Sequence, residues 1–406
     1  MARIVHLFST HRMKYALRSK SLLTGSLLIA LRLATAAGDG TSIDVAAELM
    51  QGPGGMAVTP DGTMFISLHQ FFETRERVVK VDRLGDVTAF PNDEVSTGQS
   101  KSALPVLDSV MGVRDAEGGI IWMLDNGRRG ESLPKLIGWN VGGDRLHQVH
   151  YLPAPATLPT SFLVDFAVDP SEPFIYIADP ASGTDAALIV LDLRNGLARR
   201  VLQSHDSVVP EKQLMIVNGK KLQVKRPDGT EAEPLAGVNP ITIDRRGRWL
   251  YYGPMKGRQL YRISTSLLRN EAATPTELEE GVELYSSKPD CDSIAIDARD
   301  NIYVGDLSLN AIRIIQPKTR RMETFVKDPK LCWPDGLTFG GDGRLYFYCN
   351  QLSRSSAFNQ GEDVTSAPFA VYRIKPLHQP LLVNPLPKRN PLTGITEQIN
   401  DRLGRE

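Results

Sequence analysis

A short alternation of hydrophobic and polar positions recurs along this chain from residue 54 onward. In each copy, an apolar-alternating segment ends in a turn rich in Asp or Gly, and a second apolar segment follows at once. Such alternation is typical of half-buried strands, and Asp-Gly or Arg-Gly at the joint is typical of a tight hairpin. The copies occupy residues 54–69, 109–125, 164–179, 239–254, 292–306 and 335–349.

Six hairpins at intervals of 43 to 75 residues predict an all-β fold, a six-bladed β-propeller with four-stranded blades. The remaining strands are predicted at 187–193, 257–264, 310–317 and 369–376. Asn218-Gly219 lies in the longest interval and predicts a hairpin insertion between blades 3 and 4. Residues 41–50 are expected to pair with the last blade and close the ring. A pair of β-sandwiches is the alternative, and the regular spacing disfavours it.

The N-terminal segment differs from the rest of the chain in charge. Residues 1–38 carry six Lys and Arg side chains and no acidic one, so the remainder has a net charge of −6 although the whole chain is neutral. An apolar run at 21–31 and small residues at 34–37 follow the basic positions. This order is typical of a secretory signal, and the apolar run is too short to cross a bilayer. We expect a signal peptide at 1–37 and a secreted protein; a mitochondrial presequence is the alternative.

The propeller is predicted to form a single domain over 41–376, followed by a polar C-terminal tail at 377–406. A neutral chain lacks the basic surface that nucleic acid binding requires, so no nucleic acid partner is expected. No other segment is long and apolar enough to predict stable membrane insertion. We expect a monomer whose partner is a small-molecule substrate or ligand.

Residues at one mouth of the central channel follow from strand direction. The inner strands run the same way, so their first residues form one ring, predicted to be Gly54, Ser109, Val164, Asn239, Asp292 and Asp335. The second strand of each copy returns antiparallel and ends nearby. Its last residues are His69, Asp125, Asp179, Pro254, Asp306 and Cys349.

Three consecutive blades therefore bring amide and carboxylate oxygens to the mouth. Asn239, Asp292 and Asp335 could bind a divalent cation such as Ca²⁺, with water completing six to eight ligands. We predict Asp292, Asp335 and His69 as catalytic residues. The ligand-binding candidates are Asn239, Ser109, Asp125, Asp179 and Asp306. Aspartates at strand ends also cap turns, and this structural role is the open alternative for Asp125, Asp179 and Asp306.

The three cysteines are too few for a disulfide-built scaffold. Cys332 precedes the inner strand of the last blade and Cys349 ends its partner strand, so the two could form a disulfide. Cys291, which adjoins Asp292, is a rival partner. Three buried thiols are expected if the protein is intracellular.

Several segments carry a family resemblance. IIWMLDNG at 120–127, LYYGPMKGRQLYRISTSLLRN at 250–270 and WPDGLTFGGDGRLYFYCNQL at 333–352 resemble signatures of the yellow / major royal jelly protein family. The resemblance covers about 45–376 and implies a six-bladed propeller that is usually secreted. Members include dopachrome-converting proteins, amine binders and nutrient proteins, and distant relatives are metal-dependent sugar-lactone hydrolases.

The resemblance leaves more than one function open. The lactone hydrolases use a Glu with Asn, Asn and Asp at the channel mouth; Asp292 and Asn239 match, whereas Gly54 stands at the Glu position. We therefore expect an enzyme that isomerises, tautomerises or cyclises a quinone-like compound without metal, or a metal-dependent lactonase. A non-catalytic binder of an aromatic amine is the second hypothesis. A scaffold that binds proteins through the insertion at 203–238 is the third.

Overall fold

Six four-stranded antiparallel sheets form the part of the chain that the computed structural model describes. The described residues are 42–99, 104–128, 132–225, 229–234 and 236–377. The predicted signal peptide and the predicted tail beyond residue 377 lie outside them. The innermost strands contact one another in order around a ring, and the last contacts the first. The predicted six-bladed propeller is confirmed.

The blades follow the chain in order. Blade 1 contains β2 (Pro53–Val58), β3 (Met64–Leu68), β4 (Val78–Val81) and β5 (Val87–Ala89). Blade 2 contains β6 (Val110–Ala116), β7 (Ile120–Asp125), β8 (Lys135–Asn140) and β9 (Arg145–Tyr151). Blade 3 contains β10 (Asp165–Val168), β11 (Phe174–Asp179), β12 (Ala187–Asp192) and β13 (Ala198–Val201).

The second half repeats this plan. Blade 4 contains β18 (Val238–Ile243), β19 (Trp249–Pro254), β20 (Gln259–Ser264) and β21 (Glu283–Ser287). Blade 5 contains β22 (Ile294–Ile296), β23 (Ile302–Asp306), β24 (Ala311–Ile315) and β25 (Met322–Lys327). Blade 6 contains β26 (Pro334–Phe339), β27 (Leu345–Cys349), β28 (Phe369–Ile374) and β1 (Ile43–Leu49). The short helices are α1 (Asp93–Ser96), α2 (Thr265–Arg269) and α3 (Pro275–Glu280), with a 3₁₀ turn at Leu352–Arg354.

The ring is closed by strand β1, as the sequence predicts. β1 pairs antiparallel with β28, from Ile43 opposite Ile374 to Leu49 opposite Phe369. Arg344 of blade 6 also donates to Asp44 of β1 at 2.8 Å. The last blade is therefore built from both ends of the described chain.

Aspartates at the hairpin joints explain why the repeat is visible in the sequence. Asp244 accepts backbone N–H groups of Arg246 and Arg248, and Asp297 accepts those of Arg299 and Asn301. Each carboxylate satisfies donors that the turn leaves without a ladder partner, so the turn residues fix where the second strand begins.

The apolar core is divided among the blade interfaces. Six clusters of buried side chains in the described part of the chain each join two neighbouring blades, including blade 6 with blade 1. Second strands pack against neighbours on both faces, and all six residues of β7 are buried. This two-sided burial explains the continuous apolar runs in the sequence.

The insertion between blades 3 and 4 contains two hairpins, where the sequence predicts one. β14 (Ile216–Val217) pairs with β15 (Lys220–Lys221), and β16 (Val224–Lys225) pairs with β17 (Glu231–Ala232). Asn218 and Gly219 both have positive φ, as the first turn requires. None of the described helices is long and apolar enough to span a bilayer.

Candidate functional site

A cavity of about 370 Å³ lies at one end of the channel. Five of the six first-strand residues predicted for this mouth line it: Gly54, Val164, Asn239, Asp292 and Asp335. His69, from the end of β3, lines it as well. The structure therefore brings most of the predicted inner ring together around one cavity.

Asp292 is held by two donors from neighbouring blades. The Asn239 amide donates to its Oδ1, and the Trp333 indole N–H donates to its Oδ2 at 2.7 Å. The residue is only 7% exposed. Both carboxyl oxygens are thus fixed by hydrogen bonds, and neither bond comes from a cation.

Asp335 is held by polar groups of its own blade. Its Oδ2 accepts from the Tyr348 hydroxyl and the Asn350 amide, each at 3.1 Å, and its Oδ1 accepts from the Gly336 N–H at 2.6 Å. Gly336 has φ +60, and a Cβ there would fall onto the Tyr348 ring. Glycine at 336 is therefore required for Tyr348 to reach Asp335, a role that the sequence did not indicate.

An ion pair between Arg114 and Asp165 lines the cavity, and sequence reasoning missed both residues. The guanidinium contacts Asp165 Oδ2 at 2.5 Å, and both side chains line the cavity. Asp165 directly follows the predicted ring residue Val164. A carboxylate one position further along the inner strand was therefore the feature of the sequence that could have indicated it. Arg114 pairs with Asp165, whereas no cation of the described residues pairs with Asp292 or Asp335.

Burial shifts the protonation of this group of acids. Burial raises the pKa of Asp292 to about 6, against the opposing Trp333 hydrogen bond. Burial and the nearby charge of Asp292 raise the pKa of Asp335 well above its ordinary value. Burial likewise raises the pKa of Asp165, although Arg114 opposes the shift. The cavity therefore holds a pair of neighbouring carboxyls, and burial favours the protonated form of each.

The wall above these acids is aromatic. Phe71, Phe162 and Phe358 line the cavity, with ring centroids 6.5 Å apart for Phe71–Phe162 and 5.8 Å for Phe71–Phe358. His69 packs edge-on against Phe71 at 4.6 Å, and its Nδ1 accepts the Phe71 backbone N–H. Phe358 comes from an irregular loop in which no pattern indicates a function. A flat apolar ligand would contact these rings.

The insertion contributes to the same cavity. Val224, Ala232, Glu233 and Pro234 line it, and Glu233 binds Lys256 at 2.8 Å. Met215, Val217 and Leu222 pack with Trp333 and Met255 in one apolar cluster. The segment that the sequence offered as a protein-binding surface is therefore part of the wall of the cavity.

Four predicted ligand-binding residues are not brought to the cavity wall. Asp125 accepts three backbone N–H groups and Lys135 at 2.7 Å; Asp179 accepts two backbone N–H groups, Ser161 and Arg200. Asp306 accepts two backbone N–H groups and Arg313. Ser109 is buried and donates to Gln70. Asp125, Asp179 and Asp306 thus have the contacts of the structural, turn-capping alternative, because hydrogen-bond donors already occupy their oxygens.

The three cysteines are free and buried. Burial raises the pKa of Cys291 to about 12 and raises that of Cys349 as well. The thiolate form that reacts or binds metal is therefore scarce at neutral pH.

The residues at the mouth do not complete a Ca²⁺ site. Ca²⁺ takes six to eight oxygen ligands, whereas Asn239, Asp292 and Asp335 supply few, and donors already engage both carboxylates. Gly54 offers no side chain, and the Arg114 guanidinium lines the same cavity. Across the residues described, no group of three His, Cys, Asp or Glu side chains is placed to hold a metal ion.

Comparisons with known proteins agree with this fold. The sequence profile described as Major royal jelly protein matches residues 109–375, which include blades 2 to 5 and three of the four strands of blade 6. No curated protein sequence matches the chain.

Among solved structures, a luciferin-regenerating enzyme superposes with a TM-score of 0.53 at 13% identity, over 84% of this chain and 98% of its own. The calcium-binding protein regucalcin from Agrobacterium tumefaciens gives 0.50 at 12% identity, over 85% and 98%. A gluconolactonase from Xanthomonas campestris gives 0.49 at 11% identity, over 82% and 89%. At these identities the likeness to the luciferin-regenerating enzyme and to regucalcin shows the fold alone.

Proposed function

The chain belongs to the major royal jelly protein family, and from this premise we propose that its cavity binds a small aromatic, quinone-like molecule and isomerises it by moving a proton. One observation carries the proposal: Asp292 and Asp335 are two buried carboxyls in one cavity, each with a raised pKa, and neither has a cationic partner in the described part of the chain. Groups tuned in this way can exchange protons near neutral pH.

The reaction needs one acid and one base. Asp292, whose pKa burial raises to about 6, is ionised above that pH and accepts a proton from a C–H group next to a carbonyl. Asp335, whose pKa burial and the charge of Asp292 raise, donates a proton to the carbonyl oxygen. The substrate becomes its enol tautomer, which leaves Asp292 protonated and Asp335 ionised. Transfer of a proton from Asp292 back to Asp335 restores the starting state. Nothing is oxidised or reduced, and the aromatic wall holds the ring against the pair.

The test uses dopachrome, a quinone-like compound with visible absorbance. The purified protein is expected to speed the loss of that absorbance and yield a product of unchanged mass. Asp292→Asn and Asp335→Asn are each expected to lower the rate by at least about 100-fold. The exposed Asp86→Asn is the control. Full activity in both cavity variants, with the fold retained, contradicts the proposal.

Metal dependence separates this reaction from a lactonase. EDTA is expected to leave dopachrome conversion unchanged, since Asp292 and Asp335 transfer the protons themselves. Hydrolysis of gluconolactone that is lost with EDTA and restored by Ca²⁺ would favour the metal-dependent alternative. The regucalcin likeness makes Ca²⁺ the first cation to add back, because that protein is described as calcium-binding.

A second candidate is a binder that does not change its ligand. The aromatic wall beside two carboxylates without countercharge favours an aromatic ammonium compound. Dopamine is the probe, with affinity measured by calorimetry. Binding that weakens in Asp292→Asn, with dopamine recovered unchanged and dopachrome unaffected, favours this candidate.

We also propose that the protein is secreted. The basic, apolar and small-residue order of residues 1–37 supports this. Expression of the full chain in eukaryotic cells is expected to release protein whose N-terminus follows Ala37. Retention in mitochondria contradicts it.

A further inference from the structure

Trp333 lies behind the cavity in an unfavourable backbone conformation. Its φ is +61, a left-handed value that bulky residues rarely adopt. Its side chain is completely buried. Such conformations persist where surrounding contacts enforce them, and they concentrate at functional sites.

The contacts of Trp333 connect the acid pair with the aromatic wall. The indole N–H donates to Asp292 Oδ2 at 2.7 Å. The ring stacks on Phe358, with centroids 5.5 Å apart and planes 21° apart. Phe358 in turn contacts Phe71 within the cavity. One side chain thus touches both the carboxyl and a ring that a ligand would contact.

We infer that Trp333 is a positioning residue whose indole N–H holds Asp292 as the proton acceptor of the pair and leaves Asp335 as the donor. A donor-only N–H favours the ionised carboxylate over the protonated acid. Asp335 instead accepts from Tyr348, a hydroxyl that can also accept, and from the Asn350 amide. The catalytic part of this inference rests on the proposed function; the coupling of Trp333 to Asp292 does not.

Other charged and titratable groups surround Asp292. Those that interact with it electrostatically are Asp335, Tyr348, Asp165 with its partner Arg114, and Cys291, whose own neighbours include Lys288. Lys288 donates to three backbone carbonyls, of Pro254, Gly257 and Pro289. Apart from the Asn239 amide, the Trp333 indole is the side-chain donor to Asp292 among the described residues.

The coupling can be measured without turnover. Full-length protein labelled with 5-fluorotryptophan has four tryptophan signals. The Trp333 signal is expected to shift with a midpoint near pH 6 as Asp292 titrates, and to lose this shift in Asp292→Asn. Trp139, whose indole donates to Asp144 at 3.3 Å, supplies the control signal and is expected to stay constant from pH 5 to 8. A Trp333 signal that is constant with pH, or that still titrates in Asp292→Asn, overturns the inference.

The catalytic part is tested with Trp333→Phe, which keeps an aromatic ring and loses the N–H. Without the N–H, the ionised form of Asp292 is less favoured. The acidic limb in a plot of dopachrome conversion rate against pH is therefore expected to move upward by about one pH unit, with KM unchanged. Trp139→Phe is expected to leave the limb in place. An unmoved limb in Trp333→Phe refutes the positioning role.

Two unfavourable outcomes, a Trp333→Phe variant that does not fold and a protein that does not convert dopachrome, still decide the inference. If Trp333→Phe does not fold, Phe variants of the other three tryptophans assign the Trp333 signal by elimination, and the fluorine titration decides. If dopachrome is not turned over at all, the proposed function and the catalytic part fail together. A titrating Trp333 signal would then still support the coupling to Asp292.

Discussion

Two sets of aspartates lie at the same end of the propeller, and their surroundings differ. Asp125, Asp179 and Asp306 end the second strands, and each accepts backbone N–H groups and one basic side chain. Asp292 and Asp335, from the starts of inner strands, accept only uncharged donors and line the cavity. All five are buried.

Burial alone therefore does not make an aspartate reactive. A buried carboxylate with a cation and several N–H donors is stabilised in its ionised form, so it holds the fold. A buried carboxyl without a cation retains its proton more readily and can exchange it. The difference between the two sets of aspartates comes from the side chains that other strands contribute. Mutation of these residues can therefore test it.

The largest effect is expected from Asp179→Asn. Arg200, whose side chain is 6% exposed, would lose its ionic partner and remain buried as an unpaired charge. Breaking one side of such a pair costs about 3–5 kcal/mol. Urea denaturation measures the free energy of unfolding. Asp335→Asn is the matched control and is expected to cost little, since no cation loses a partner; equal losses in the two variants would contradict the comparison.

A smaller effect is expected in the pH dependence of stability. The pKa of Asp292 is about 6 in the folded protein against an ordinary 3.8, so between these values the folded state holds a proton that the unfolded chain has lost. Stability therefore falls as pH rises through this window, by about 3 kcal/mol at pH 7.

Comparison of Asp292→Asn with wild type from pH 4 to 7 isolates this contribution. The variant should gain stability relative to wild type as pH rises, and Asp86→Asn should not. If the free energy of unfolding depends on pH in the same way in wild type and in Asp292→Asn, Asp292 titrates normally and the prediction is wrong.

The smallest effect is expected where an ion pair is exposed. Arg344 and Asp44 join β1 to blade 6 at 2.8 Å, with side chains 30% and 43% exposed. Solvent screens such a pair, so Arg344→Ala should cost less than about 1 kcal/mol. Thermal unfolding in low and high salt measures it. A loss as large as that of Asp179→Asn would mean that ring closure depends on this contact.

Much of the fold could be predicted because it is encoded locally. The alternation of strands and the Asp and Gly turns recur in every blade, and they indicate six hairpins and the closure by β1. The second hairpin of the insertion, with strands of two residues each, is too short to give a periodic signal.

The order of strands and turns along the chain predicts the propeller, the end of the channel where the inner strands begin, and the placement of Asn239, Asp292, Asp335 and His69 there. The partners of Asp165 and Asp292 come instead from neighbouring blades and could not be predicted. Arg114 and Asp165 lie 51 residues apart, and Trp333 and Asp292 lie 41 apart. Strand period and turn chemistry act between near neighbours in the chain, whereas Asp165 and Asp292 depend on partners that a neighbouring blade brings within reach.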